Sequence, residues 1–157
     1  MKIRLRTLWR VPVYCLAASW VSYYITVYLG RFFFVVKSMG ADGVTNVSAD
    51  PLRSAVFHAV LFFAVLLAGG LWAFRSMTRA EIADSAATMA AVYLAVVLAQ
   101  LYLPAFPLLL SIALAKFQDW TSSVSSLLMR LTGQFEFSVL AACFSPLLFI
   151  PFGRRAP

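Results

Sequence analysis

A chain of 157 residues that is 62% hydrophobic and only 12% charged is not an ordinary soluble domain, where about 45–50% apolar and about 25% charged residues are usual. The net charge of +7 does not point to nucleic acid, because the basic residues gather at the ends of apolar segments instead of on one face of a soluble module. Two cysteines, Cys15 and Cys143, without a CxxC spacing argue against a disulfide framework, and a single histidine argues against a metal centre.

The first apolar stretch, Val11–Gly30, has 20 residues, enough for about 30 Å of hydrocarbon. Lys2, Arg4, Arg6 and Arg10 precede it and Ala17-Ala18-Ser19 mimics a cleavage site. The apolar run is nevertheless too long for a signal peptide, so an uncleaved span over about 11–31 is expected. A connection over Lys37–Pro51 follows; its Asn46-Val47-Ser48 sequon carries no weight without a known host. Asp50-Pro51 supplies an N-cap and a proline at the first helical position, opening a second span over about 54–74.

Thr78-Arg79-Ala80-Glu81 has the form of a capping box and starts a third span over about 84–103. Within it Ala83, Ala87, Ala91, Ala95 and Ala99 recur every four residues. Small residues at this spacing let helix backbones approach closely in a bilayer. The third span is therefore expected to be the central packing helix or a homodimer helix. Pro104-Ala105-Phe106-Pro107 ends it.

Asp119 can cap a short helix that Gly133 terminates. In it Trp120, Val124, Leu127, Leu128 and Leu131 fall within an arc of about 80° at 100° per residue, with Ser122, Ser123, Ser125, Ser126 and Arg130 opposite. Such a helix, too short to span, is expected to lie in the interface over about 119–131. The last candidate span, 135–152, carries Glu136 near its start and contains Pro146 and Pro151. Pro146 predicts a kink, and a re-entrant or interfacial segment is the alternative.

These elements make an all-α integral membrane protein, residues 1–157 forming a single transmembrane domain of four transmembrane helices plus an outer interfacial amphipathic helix. With four spans, Lys2, Arg4, Arg6, Arg10, Arg75, Arg79, Arg154 and Arg155 share one side, against Lys37, Arg53, Lys116 and Arg130, with Arg31 at the edge. The basic side is expected to be cytoplasmic, with both termini inside, in a bacterial inner (plasma) membrane.

On that topology Arg31, His58, Gln100 and Glu136 all fall toward the outer side, and Tyr24 and Tyr28 share a helix face with Arg31. They form a candidate ligand-binding cluster, in which Arg31 is expected to approach Glu136. Ionisable groups at membrane depth are functional candidates because they are costly to keep there; snorkelling and simple charge pairing are the alternative.

No HExxH, GxSxG or paired aspartates occur within the spans, and no cofactor is implied. Ser19, Ser22, Tyr23 and Thr26 line one arc of the first span. The expectation is a small non-enzymatic accessory or scaffolding subunit that acts through helix packing. Its partners would be the lipid bilayer and, through the third span, another membrane protein or a second copy. The alternative is an oligomeric small transporter or channel with an outward-facing polar vestibule.

Overall fold

The computed structural model describes residues 5–39, 45–103 and 107–155. Lys2 and Arg4 of the basic N-terminus and Pro104 of the expected proline break lie outside them. The chain is mostly helical. A turn α1 (Leu5–Leu8) precedes α2 (Arg10–Phe33), and a hairpin of β1 (Val35–Met39) and β2 (Thr45–Ala49) leads to α3 (Pro51–Ala68). A π-helical turn, Gly69–Ala73, extends α3. Then come α4 (Arg79–Tyr102), α5 (Leu108–Thr132), α6 (Phe135–Ala142) and a 3-10 helix, Ser145–Phe152.

Among the described residues three helices are long and apolar enough to cross a membrane: Arg10–Phe33, Pro51–Ala73 and Arg79–Tyr102. The pair α6 and Ser145–Phe152 qualifies as a fourth if its 40° bend belongs to one span. That bend follows from Pro146, which has no N–H to bond the carbonyl of Ala142; α6 ends at Ala142 and the 3-10 helix begins with Ser145-Pro146.

Local caps set the helix starts. Asp50 Oδ1 accepts from Leu52 N at 2.9 Å and Arg53 N at 3.1 Å, satisfying donors that a helix start leaves free. Thr78 and Glu81 bond reciprocally, Thr78 N to Glu81 Oε2 at 3.0 Å and Glu81 N to Thr78 Oγ1 at 3.3 Å.

One end of the bundle, here called basal, holds the start of α2, the Phe74–Thr78 turn and the end of the 3-10 helix. Arg10 Nη1 donates to Ser76 Oγ at 3.0 Å and Val11 N to Ser85 Oγ at 3.2 Å. Arg79 N donates to Arg154 O, and Arg154 N to Met77 O, both at 3.0 Å. Close to this end Gly69 lets two rings approach: a Cβ there would lie 2.6 Å from Phe149 and 2.7 Å from Tyr14.

The core above is aromatic. Trp120 of α5, 1% exposed, stacks between Phe62 of α3 at 5.2 Å and Phe149 at 5.4 Å. Tyr14 meets Phe74 and Phe149 edge-on and donates to Val65 O at 2.6 Å. Such ring pairs add about 0.5–1.5 kcal/mol each beyond simple burial.

Three expectations change. The expected interfacial helix 119–131 is the second half of a 25-residue helix that begins at Leu108. Nothing between Pro107 and Gly133 breaks it, so Asp119 sits in mid-helix and caps nothing. Nor does this helix show one free face. Thr121 and Ser123, which flank the apolar arc, are buried with Trp120, because α5 packs on α2, α3 and α6. The expected connection Lys37–Pro51, together with Val35 and Val36 before it, carries the β1–β2 hairpin, paired Val35–Ala49 through Met39–Thr45, so the fold is not all-α. Its strands are exposed almost throughout, so no buried face imprinted a two-residue alternation on the sequence.

Candidate functional site

Arg31 and Glu136 of the expected outer cluster do not pair. Arg31 is exposed, its guanidinium 4.7 Å from the Phe32 ring centroid. Glu136 is exposed on the first turn of α6. The two make no ion pair; among the described residues the one ion pair joins Arg53 to Asp50 at 3.6 Å. Gln100 Nε2 donates to Ser111 Oγ at 3.4 Å. Tyr24 and Tyr28 stack on each other at 6.1 Å on an exposed face of α2.

His58 finds a different neighbourhood. Its Nδ1 lies 2.7 Å from the carbonyl of Ser54. A carbonyl only accepts, so Nδ1 carries the proton and Nε2 is the nitrogen left for other partners. Across the contact between α3 and α5 stands Asp119. Burial pushes its carboxyl up from 3.8 to about 6, and the opposing pull comes from His58.

Asp119 belongs to a polar seam. On α2, Ser19, Ser22 and Thr26 recur at spacings of three and four, on one face. Ser19 Oγ lies 3.5 Å from Tyr93 Oη, which donates to Phe117 O at 3.3 Å. One hydroxyl on α4 thereby ties α2 to α5, and α5 is the main packing partner of α2. Lys116 of α5 reaches back over the Tyr23 ring at 5.4 Å.

Around this tie lie buried polar atoms without hydrogen-bond partners among the described residues. They are Ser22 Oγ and Thr26 Oγ1 on α2, and Gln118 Nε2, Asp119 Oδ2 and Trp120 Nε1 on α5. An unpaired buried polar group costs about 1–3 kcal/mol. Five on two adjacent helices mark a seam that water, a proton or a small polar group can satisfy.

Cys15 is fully buried, and Cys143 donates from Sγ to Val139 O at 3.4 Å. Among the described residues no three His, Cys, Asp or Glu side chains gather as a metal ligand set.

The alanine ladder has a definite placement. Ala87, Ala91 and Ala95 are exposed, and Ala83 and Ala99 are half-buried. The packed face of α4 is Ile82, Ser85, Ala86, Met89, Ala90, Tyr93 and Val97. Close approach within the chain thus uses Ala86 and Ala90, and the ladder faces outward.

Sequence reasoning missed Asp119 because aspartate before an amphipathic run reads as an N-cap. The contrary signal was the uninterrupted run of helix formers from Leu108 to Lys116. No protein-family model, curated protein or solved structure matches the chain.

Proposed function

We propose that this chain is a small multi-pass membrane subunit that acts by packing against another transmembrane helix, without chemistry of its own. The observation that carries this reading is the outward placement of Ala87, Ala91 and Ala95. In a bilayer no hydrophobic effect drives helices together, so close backbone approach at small residues supplies the association. The fold supports it by leaving that face of α4 uncovered while the opposite face is packed. In this reading α6 and Ser145–Phe152 form a bent fourth span, the basal end with Arg10, Arg75, Arg79 and Arg154 is cytoplasmic, and α5 lies toward the outer interface.

The test is in-membrane cross-linking from cysteine at Ala91 in a chain lacking Cys15 and Cys143, followed by purification in mild detergent. A stoichiometric second protein, or a second copy, linked at this position supports the proposal. Absence of any linked species from the native membrane, with the chain purifying alone as a monomer, overturns it.

A second reading, an oligomeric small transporter with an outward-facing polar vestibule, draws on the seam. Ser22, Thr26, Gln118 and Asp119 present buried polar atoms without hydrogen-bond partners among the described residues. Substrate-dependent flux in proteoliposomes, abolished by Asp119→Asn, would favour it over the packing subunit.

A further inference from the structure

Between α2 and α3, at the end away from the basal turn, runs a groove of about 700 Å³. Its walls are Leu29, Phe32 and Phe33 of α2 and Val56, Phe57 and Val60 of α3, and the one charged residue lining it is Arg53. The groove descends along α3 from Arg53 to Ala64. Eleven residues at 1.5 Å each make roughly 16 Å, close to one leaflet of a hydrocarbon core about 30 Å thick.

One cation lines its mouth and a second lies against one of its walls. Arg53 sits in the first turn of α3 with an exposed side chain. It approaches Asp50 through Nε at 3.6 Å, while the other Asp50 oxygen is held by the cap bonds to Leu52 N and Arg53 N. The terminal nitrogens of Arg53 remain for a ligand. Arg31 lies with its guanidinium over the ring of Phe32, which is itself a wall of the groove, and it makes no ion pair among the described residues. Arg53 therefore stands at the head of an apolar channel one leaflet deep, and the Arg31 guanidinium lies against the Phe32 that walls it. Guanidinium groups match phosphate oxygens in charge and geometry, and an apolar trough suits an acyl chain.

We propose that this groove binds one anionic phospholipid, its phosphate held by Arg53 and Arg31 and an acyl chain lying along Leu29, Phe33, Phe57 and Val60. The site is independent of the alanine face and of the polar seam. It gives Arg31 a role without Glu136: a cation at the membrane edge recruits a headgroup, not a second side chain.

The experiment uses the full chain in phosphatidylcholine nanodiscs and in detergent. Phosphatidylglycerol and phosphatidylcholine of identical acyl chains compete for it, with bound lipid read by native mass spectrometry and Tm recorded alongside. The expected result is a single retained lipid with about tenfold preference for phosphatidylglycerol, the scale of one charge-assisted hydrogen bond. The preference should fall to about twofold or less in Arg31→Gln/Arg53→Gln, and weaken in high salt because both cations are exposed. Val60→Trp, at an exposed position in the groove, should reduce retention of either lipid.

Equal retention of the two lipids by the unaltered chain overturns the proposal, whatever the variants do. So does a preference that survives loss of both arginines. Stabilisation by inorganic phosphate alone, matching that by phosphatidylglycerol and unaffected by Val60→Trp, would leave an anion site without a lipid groove and overturn it as well. Occupation of the groove by a copurifying transmembrane helix, cross-linked at Val60, is a further outcome that counts against it.

Discussion

Arg130 Nη2 donates to the carbonyl of Pro51 across 2.6 Å, joining the last turn of α5 to the first residue of α3. At its other end α5 meets α4, where Gln100 Nε2 donates to Ser111 Oγ. Helices α3 and α4 meet at the basal Phe74–Thr78 turn, so α5 ties together the two ends far from that turn. Its middle drops Trp120 onto Phe62 and Phe149. A helix too polar to count among the candidate spans is thereby held by both tips and by one buried indole.

Arg130→Met should loosen this tie locally. The lost bond is charge-assisted but exposed, so a destabilisation of about 1 kcal/mol is expected. Hydrogen exchange should quicken in the last two turns of α5 and the first turn of α3, and stay unchanged around Trp120. Unaltered exchange at Leu127–Thr132 would show that the bond holds nothing in place.

Much of this architecture was legible from local signals. Asp50-Pro51 and Thr78–Glu81 cap helices through bonds between near neighbours, so their chemistry is written within four residues. Three apolar runs announced themselves by length. What was not legible depended on partners distant in the chain: that Asp119 would stand half-buried opposite His58, that Arg31 and Glu136 would not pair, and that Ala86 and Ala90, not the longer ladder, would meet the rest of the fold. Periodicity tells which residues share a face and is silent on which neighbour that face meets.

Ala90 and Ala91 test that distinction. Ala90 is 4% exposed, so Ala90→Leu forces extra volume into a packed contact and should destabilise the monomer by about 1–3 kcal/mol. Ala91→Leu adds the same volume on the outward face and should leave monomer stability in detergent nearly unchanged. It should instead weaken association in the membrane. Equal loss of Tm in the two variants would place the ladder inside the fold.

Gly70 is a second sensitive position, because a Cβ there would run into the ring of Phe152. Gly70→Ala should lower Tm although alanine is the better helix former, and Phe152→Leu should recover part of the loss by making room. A stabilising Gly70→Ala would mean that the 3-10 helix yields freely.

Labelling tests the span count. In a background without Cys15 and Cys143, cysteines at Ser76 and Arg155 should be shielded from impermeant thiol reagents in intact cells. One at Val47, on the exposed hairpin, should react. Reaction at position 155 from outside would leave three spans.

The pH dependence of stability turns on Asp119. Its carboxyl titrates at about 6 in the folded chain, against 3.8 when unperturbed, chiefly because burial disfavours the charge. Between those values the folded chain therefore holds more protons than the unfolded one, and stability falls as pH rises through this window. Below it the carboxyl is neutral in both states and its burial adds no charge penalty; above it the folded chain carries a desolvated carboxylate. The charged group that acts on it is His58 on α3; Lys116, one turn earlier on α5, lies over the Tyr23 ring. Asp119→Asn keeps the shape and removes the titration. Its Tm should match the unaltered chain near pH 4 and exceed it near pH 7, the gap opening between about 4 and 6. The remaining acidic residues are the same in both proteins and cancel in the difference. If Asp119→Asn is instead the less stable protein at pH 7, attraction to His58 outweighs desolvation and the carboxylate is held as one half of a pair. A gap that does not change with pH would show that Asp119 is not desolvated at all.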